Sequence, residues 1–222
     1  MEPALELKET YANRFQDEVK RSLVWKELAR YFQQWISPQA VILDLGAGYC
    51  EFINNVQAQK KYAIDLNPTT QSRAKPDVHV LSQDVTLEWQ LDSGTVDVVF
   101  SSNFLEHLAT KDGLMDCLRQ ANRVLKSDGT LILLGPNIRF CADVYWDFFD
   151  HHLPLSDRSL VEALGLAGFE VERVIDRFLP FTMQGRAPAH PLLVRTYLRQ
   201  PIFWPILGKQ FLIVAKKAKS AQ

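Results

Sequence analysis

VILDLGAGY, residues 41–49, is the stretch of sequence that indicates the fold of this protein. An apolar run of the kind found in buried strands leads into a turn that contains Gly46 and Gly48. Glycine lets the backbone turn tightly and approach a ligand closely, so the pattern predicts a strand, a turn and a helix around a bound nucleotide. A strand-to-helix turn without a ligand can carry the same glycines, and the stretch alone leaves both interpretations open.

Short apolar runs alternate with amphipathic segments along the chain. Strands are predicted at residues 40–45, 61–66, 77–81, 96–101, 130–135, 169–175 and 210–215. Helices are predicted at residues 5–35, 49–58, 111–125 and 156–167, and the last has Ser156 as a candidate N-cap and Gly168 beyond its end. Strands that alternate with helices predict an α/β fold in which helices cover a mostly parallel sheet on both faces.

Three acidic residues accompany the first three predicted strands. Asp44 lies directly before the glycine turn, Asp65 ends the second strand, and Asp84 follows the third. Open α/β sheets bind ligands outside the carboxyl ends of their strands, where these side chains should meet. The Asp65 carboxylate could accept hydrogen bonds from ribose hydroxyls, and Asp84 could accept one from an adenine amine. One such acid is commonly a solvated loop residue, but three in register predict a nucleoside site.

A dinucleotide would explain part of this pattern. The dinucleotide-binding fingerprint has a third glycine three positions after Gly48, where this chain has Glu51. An acid is unfavourable where a pyrophosphate approaches a helix N-terminus, and no Tyr-x-x-x-Lys pair of the short-chain dehydrogenase kind is present. An NAD(P)-dependent oxidoreductase is therefore kept only as an alternative.

The motifs together resemble the class I S-adenosylmethionine-dependent methyltransferase superfamily. The matching stretches are DLGAG (44–48), AIDL (63–66), DV (84–85), DVVF (97–100) with LEHL (105–108), and RVLKSDGTL (123–131). The resemblance implies a Rossmann-like sheet with seven mostly parallel strands, the last of them antiparallel. Two departures stand out, since Cys50 replaces a third glycine and Ser127-Asp128 replaces Pro-Gly.

The resemblance also implies S-adenosyl-L-methionine as the cofactor. Asp44 and the backbone of the glycine turn would hold its methionine end, Asp65 its ribose, and Asp84 with Val85 its adenine. Ser102 and Asn103 would lie where the methyl-bearing end meets the acceptor. The residues implied in cofactor binding are Asp44, Gly46, Ala47, Gly48, Asp65, Leu66, Asp84, Val85, Ser102 and Asn103.

A candidate general base follows the fifth predicted strand. His151 and His152 come directly after YWDFFD, residues 145–150, at the edge where the acceptor should lie. Histidine suits the deprotonation of a hydroxyl, and Asp147 or Asp150 could orient its ring. His151, His152 and Asp150 are thus the predicted catalytic residues, with no choice between the two histidines. The alternative is an aromatic lid in which these histidines only cap backbone groups.

Two further interpretations concern the histidines. His107, in the LEHL stretch, is interpreted as a helix residue that shapes the cofactor pocket. Adjacent histidines beside acids could suggest a metal, but no convincing third ligand is evident, so no metal site is predicted.

The charges divide the chain unevenly. The net charge is −1, yet no acidic residue follows Asp176, and eight basic residues do. Segment 177–209 also contains five prolines and several aromatic residues, which predicts an insertion on the substrate side. It could hold an anionic acceptor, contact an anionic membrane surface, or simply cap the site. Nucleic acid is disfavoured, because the body is acidic and no base-reading module is evident.

Length and composition predict one ordinary globular domain. The 222 residues are divided into an N-terminal helical cap (1–38), a cofactor-binding core (39–176), the insertion (177–209) and a last strand (210–217). Three cysteines without a CxxC pair argue against a disulfide framework, and the first residues do not resemble a signal peptide, so the cytoplasm is predicted. The predicted function is O-methylation of a small molecule, sugar or lipid-linked glycan; a non-catalytic cofactor-binding module is the other alternative.

Overall fold

A single sheet organises the part of the chain that the computed structural model describes, residues 18–181 and 190–219. Its seven strands have the order β3-β2-β1-β4-β5-β7-β6. Their bounds are β1 (Val41–Leu45), β2 (Lys60–Ile64), β3 (Val78–Leu81), β4 (Val96–Ser102), β5 (Leu125–Pro136), β6 (Phe169–Leu179) and β7 (Gln210–Lys217). β1 to β5 pair in parallel, whereas β7 runs antiparallel to both β5 and β6. The predicted strands and the antiparallel last strand are confirmed.

Helices connect these strands and lie on both faces. They are α1 (Glu18–Phe32), α2 (Thr69–Arg73), α3 (Lys111–Val124), α4 (Ile138–Cys141), α5 (Asp157–Leu166), α6 (Pro191–Arg199) and α7 (Trp204–Leu207). α3 and α5 confirm two predicted helices, and Ser156 and Ser159 form a capping box at the start of α5. Residues 5–17 of the predicted first helix lie outside the described residues.

The helix predicted at residues 49–58 is wrong. This segment forms successive turns, in which the backbone hydrogen bonds alternate between three- and four-residue spacings. Cys50 has a φ of 59°, in the left-handed region that a right-handed helix does not enter. The apolar pattern of the segment is nevertheless explained, because Phe52, Ile53 and Val56 are buried against the sheet.

The alternation of side chains along the strands builds two cores. Ile42 packs in the cluster that contains Phe32 of α1, while its neighbour Leu43 packs in the cluster that contains Leu118 of α3 and Leu160 of α5. Successive strand residues point to opposite faces, so a continuous apolar strand is buried on both. The two cores hold the sheet rigidly and thereby fix the loops at its carboxyl edge.

The C-terminal part of the insertion packs on α1. Two guanidinium nitrogens of Arg195 each lie 2.9 Å from a carboxylate oxygen of Glu27. The Tyr197 hydroxyl donates to the carbonyl of Phe178 at 2.6 Å, and Trp204 is buried against Phe178. Among the described residues, none of the helices has both the length and the apolar character that crossing a membrane requires.

Candidate cofactor and active site

The turn after β1 requires glycine at its first position. Gly46 has a φ of +72°, and a Cβ atom there would lie 2.2 Å from Cγ of Phe104. The N–H groups of Gly46 and Ala47 both donate to the carbonyl of Ile64, at 2.9 and 3.2 Å. Backbone conformation and the close approach of an aromatic ring therefore both exclude a side chain. The turn is tied to the end of β2, beside the predicted ribose-binding acid.

Both departures from the methyltransferase pattern retain the backbone that glycine would adopt. Cys50 has a φ of 59° and Asp128 a φ of 61°, each at a position where the pattern has glycine. Residues other than glycine rarely adopt this region, although aspartate does so more readily than most. The substitutions thus leave the local chain path of the motif in place.

Asp65 links the loops that follow β1 and β2. The N–H of Gly48 donates to its Oδ2 at 2.6 Å, and the N–H of Asn67 donates to its Oδ1 at 2.7 Å. Burial raises the pKa of this carboxyl, whereas the two backbone donors and nearby His107 act to lower it. A carboxylate has about four acceptor positions, so each oxygen can still accept a hydroxyl group. The residue fits the ribose role that the sequence predicted.

Asp44 is buried directly before the glycine turn. Its side chain is 3% exposed, and the N–H of Ile53 donates to its carboxyl group. Burial raises the pKa of Asp44 well above its ordinary value, and the charge of Asp65 adds to the effect. A cationic ligand group beside this carboxyl would offset part of the cost of burying its charge. Asp44 therefore fits a sulfonium-bearing or ammonium-bearing ligand.

The third predicted acid follows β3. Oδ1 of Asp84 accepts hydrogen bonds from the N–H and the hydroxyl of Thr86, both at 2.8 Å. Val85 is buried in the core, and its carbonyl accepts the indole N–H of Trp89 at 2.9 Å. Leu66 is exposed next to Asp65 and offers an apolar surface at this edge. An adenine ring, which has an apolar face and a donor amine, suits this combination.

Ser102 ends β4 at the same edge of the sheet, and Asn103 follows it. Asn103 has a φ of 49°, and its N–H donates to the carbonyl of Leu134 in β5 at 2.8 Å. Its side-chain amide donates to the Ser102 hydroxyl at 2.9 Å. The left-handed residue turns the chain out of the sheet into the segment that carries His107.

His107 and Asp150 are in contact, which the sequence did not show. Nδ1 of His107 lies 2.9 Å from the backbone carbonyl of Asp150 and 3.2 Å from its Oδ2. Both oxygens are acceptors when the carboxyl is ionised, so Nδ1 carries the proton and Nε2 has the free lone pair. Nε2 lies 3.9 Å from Oε1 of the buried Glu106. The imidazole thus has a carboxylate near each nitrogen.

The two predicted histidines differ in their surroundings. The His151 ring is buried, stacks on Phe148 and lies 5.0 Å from the His107 ring, centroid to centroid. His152 is exposed, and its backbone N–H donates to the carbonyl of Glu106 at 2.8 Å. The structure therefore brings His107, Asp150 and His151 together and leaves the His152 side chain at the surface.

Glu106 also supplies the third potential metal ligand that the sequence had not indicated. One potential ligand atom from each of Glu106, His107 and His151 lies within 4.8 Å of the others. The LEHL stretch after β4 contains two of these residues. Their proximity to residue 151 depends on the path of the chain after β5.

Comparisons with known proteins agree with this geometry. Residues 43–133 match a family model described as a methyltransferase domain. A chain from the complex between the Haloferax volcanii Trm112 methyltransferase activator and a putative methyltransferase aligns with a TM-score of 0.69 and 16% identity over 95% of this chain and 97% of that chain. A SAM-dependent methyltransferase from Archaeoglobus fulgidus aligns with a TM-score of 0.64 and 18% identity over 86% of this chain and 92% of that chain.

One similar structure belongs to a protein with another printed activity. The [4+2]-cyclase SpnF aligns with a TM-score of 0.64 and 16% identity over 88% of this chain and 81% of that chain. At such identities, the solved structures establish the common fold alone. The comparison with curated proteins finds no match. The domain match shows a methyltransferase domain at residues 43–133, and the sheet order β3-β2-β1-β4-β5-β7-β6 is consistent with the class I S-adenosylmethionine-dependent methyltransferase superfamily. The match implies S-adenosylmethionine as the cofactor.

Proposed function

We propose that this protein methylates a hydroxyl oxygen of a small molecule, sugar or lipid-linked glycan, with His107 as the general base. The contact between His107 and Asp150 carries this proposal, because it orients an imidazole at the carboxyl edge of the sheet. His107 and Asp65 lie close enough to interact electrostatically. The base therefore adjoins the loops proposed to hold the cofactor.

The residues proposed to hold the cofactor fit its parts. Asp65 would accept the ribose hydroxyls, Leu66 would offer an apolar surface to the adenine ring, and Asp84 would accept its amine. Asp44 would pair its buried charge with the cationic group. When bound, S-adenosylmethionine supplies a methyl group that its sulfonium has already activated.

His107 removes the proton that an attacking hydroxyl must lose. Because Nδ1 donates to Asp150, Nε2 would accept the hydroxyl proton as the oxygen bonds to the transferred methyl carbon. The carbon–sulfur bond would break in the same step, and its electron pair would leave with the sulfur as a neutral thioether. The carboxylates of Asp150 and Glu106 then stabilise the imidazolium. A neutral amine can attack without prior loss of a proton, so an oriented base favours an oxygen acceptor.

An aromatic segment closes over the base. The N–H groups of His152 and Leu153 both donate to the carbonyl of Glu106, at 2.8 and 3.0 Å, and the Tyr145 hydroxyl donates to the carbonyl of Leu153. Burial raises the pKa of Tyr145, which keeps its hydroxyl protonated as a donor. The His151 ring stacks on Phe148 and packs beside His107 in this segment. The packed segment limits the access of water to the reacting groups.

The electrostatic argument against a dinucleotide is weaker in the structure. Arg21 of α1 forms an ion pair with Glu51, which compensates the charge of that acid. The domain match and the fit of Asp44 to a cation support S-adenosylmethionine over NAD(P) instead. The methyl-transfer assay described next also tests the alternative of a non-catalytic cofactor-binding module. A [4+2]-cyclase has a similar fold, so methyl transfer has to be measured directly.

Ligand binding and methyl transfer test the proposal together. Thermal unfolding is followed with S-adenosylhomocysteine, S-adenosylmethionine, NADH and NADPH, and we expect stabilisation by the first two alone. Methyl transfer from labelled cofactor is then measured across hydroxylated sugars, lipid-linked glycans, phenols and amines. Stabilisation by NAD(P)H alone would refute the assignment. Cofactor binding without transfer to any acceptor would support a binding module, and transfer to amines alone would contradict the oxygen acceptor.

The methyl-transfer assay can also test whether the protein needs a second protein for activity. The Haloferax volcanii chain with this fold is found in a complex with a methyltransferase activator. If purified protein is stable but inactive, adding a soluble extract of the source cells would show whether a second protein restores transfer.

A further inference from the structure

Exposed apolar side chains are concentrated in one part of the insertion. Of the fourteen large apolar residues that are exposed in the described part of the chain, six lie between residues 192 and 207. We call these six the apolar face: Leu192, Leu193, Ile202, Phe203, Ile206 and Leu207. Single exposed apolar residues are ordinary in globular proteins, but a concentration of them marks an interaction surface.

The apolar face is held by a well-packed layer beneath it. Leu198 and Trp204, from the same segment, are only 4% and 6% exposed. Arg195 binds Glu27 through two nitrogens, and the Trp204 indole N–H donates to the carbonyl of Tyr197 at 3.0 Å. The inner side of α6 and α7 is therefore already occupied by α1 and β6. The six apolar side chains remain exposed on the other side of the segment. Because the packed layer fixes their backbone, binding to another surface has a lower entropic cost.

The charged residues of the segment that carries the apolar face are all basic. No acidic residue follows Asp176 in the sequence, so the whole C-terminal part of the chain is cationic. Arg195 and Lys209 pair with Glu27 and Asp143 from other elements. Arg199 is exposed on α6 and forms no ion pair with the residues that the structure describes. Exposed apolar side chains beside an unpaired cation in a wholly basic segment are complementary to an anionic lipid surface.

The segment joins the sheet at the edge that carries the candidate site. β7 is antiparallel to both of its neighbours, so β6 ends and β7 begins at the carboxyl edge of β5. Just after β6, the Phe181 ring lies 5.5 Å from the Phe148 ring and 6.3 Å from the His151 ring, measured between centroids. The segment that carries the apolar face thus leaves and rejoins the sheet at the edge where the proposed base lies.

We propose that the apolar face docks this protein on the surface of an anionic phospholipid bilayer. Leu192, Leu193, Ile202, Phe203, Ile206 and Leu207 enter the interface, and Arg199 contacts lipid phosphates. Docking depends on the surface of the folded protein and not on the methyl-transfer reaction, so binding can be measured whether or not the proposed function is correct.

Vesicle flotation with full-length protein tests this docking. The probes are vesicles of phosphatidylcholine alone and vesicles with an equal part of phosphatidylglycerol. Wild-type protein should float with the anionic vesicles, and Ile206→Glu should weaken that binding about tenfold or more. Leu166→Glu is the matched control, because residues 206 and 166 are 68% and 74% exposed and Leu166 ends α5 next to the start of β6, at the opposite edge of the sheet. Unchanged circular dichroism melting curves would show that both variants fold.

A second pair of matched variants tests the electrostatic contribution to vesicle binding. Arg199→Gln should weaken anionic vesicle binding about fivefold at low salt, and added salt should remove the difference. Lys219→Gln causes the same change in net charge after β7, at the opposite edge, and should have no such effect.

Three results would overturn the proposal. One is wild-type protein that fails to float with either kind of vesicle. Another is an equal loss of binding in Ile206→Glu and Leu166→Glu. The third is a wild-type dimer that Ile206→Glu converts to a monomer in sedimentation, without vesicle binding, since the apolar face would then bind a second copy of the chain.

Discussion

Nδ1 of His107 lies 2.9 Å from the backbone carbonyl and 3.2 Å from the carboxylate of Asp150, a residue 43 positions further along the chain. Two acceptors at one nitrogen leave the other nitrogen free to accept a proton. This relationship distinguishes His107 from the two histidines that the sequence favoured. Its consequences can be measured once an acceptor is found.

Replacing the proposed base should abolish most turnover. His107→Asn should lower kcat about 10²- to 10⁴-fold, because the hydroxyl proton loses its acceptor. Affinity for S-adenosylhomocysteine should change little. His79→Asn, an exposed histidine in β3, is the control. If His152→Asn reproduced the loss and His107→Asn did not, the base would be the exposed histidine.

Asp150 is expected to act as a positioning residue. Asp150→Asn keeps the backbone carbonyl acceptor, so kcat should fall only about tenfold. A loss as large as that of His107→Asn, or an unchanged kcat, would contradict a positioning role.

The buried charge of Asp44 should lower the free energy of unfolding and, at the same time, favour binding of the cationic cofactor. Its pKa is raised by burial, so the native state binds more protons than the unfolded state above about pH 4, and stability falls as the pH rises through that range. Asp44→Asn removes the charge and keeps an acceptor for the Ile53 N–H. Without cofactor, the free energy of unfolding of this variant at pH 7 should therefore be about 1–2 kcal/mol higher than that of wild type. The variant should nevertheless bind S-adenosylmethionine about tenfold more weakly.

The exposed Asp92→Asn variant is the control for Asp44. Calorimetry at pH 5 and pH 7 would check the sign, since the gain of Asp44→Asn should be larger at the higher pH. A less stable Asp44→Asn at both values would contradict the assignment of an unfavourable buried charge.

Gly46 and Gly94 form a matched pair for the glycine turn. Both have positive φ, +72° and +67°, but only at Gly46 would a Cβ atom meet another residue, Phe104. Gly94→Ala should cost about 1 kcal/mol from backbone conformation alone. Gly46→Ala should cost about 3–5 kcal/mol, since overpacking adds to that cost. Urea denaturation measures both, and Phe104→Ala should recover part of the loss in the double variant.

The Glu27–Arg195 pair should make the junction of α1 and α6 sensitive to acid. Hydrogen bonds from Arg195, and also from Arg30, lower the pKa of Glu27 from 4.5 to about 2. A lowered pKa stabilises the fold above the ordinary value, and this contribution is lost as the pH falls towards about 2. Glu27→Gln should therefore be less stable than wild type above pH 5, and the difference should vanish at low pH. Asp116→Asn, which breaks an exposed pair with Arg119, should show a much smaller difference.

Metal removal tests the other interpretation of Glu106, His107 and His151. If His107 acts as a base, protein dialysed against EDTA should keep its methyl-transfer rate, and added zinc or manganese should not raise it. A rate that disappears with EDTA and returns with one metal would show that these three residues bind an ion.

The strands and the cofactor edge could be predicted because their signals are local. Apolar runs identified all seven strands, and an acid or glycine at the end of a parallel strand lies at one edge whatever the loops do. The segment at 49–58 was predicted wrongly because its apolar spacing does not reveal the left-handed conformation of Cys50.

The sequence by itself determined the α/β sheet, the acids Asp44, Asp65 and Asp84, and the cationic C-terminal part. Only the tertiary structure decided that Asp150 meets His107 while the His152 side chain stays outside, and that six apolar side chains of the insertion remain exposed. Periodicity and strand ends are properties of neighbouring residues. The partner of a loop side chain depends on where separate loops cross, and the exposed face of a helix depends on what packs beneath it.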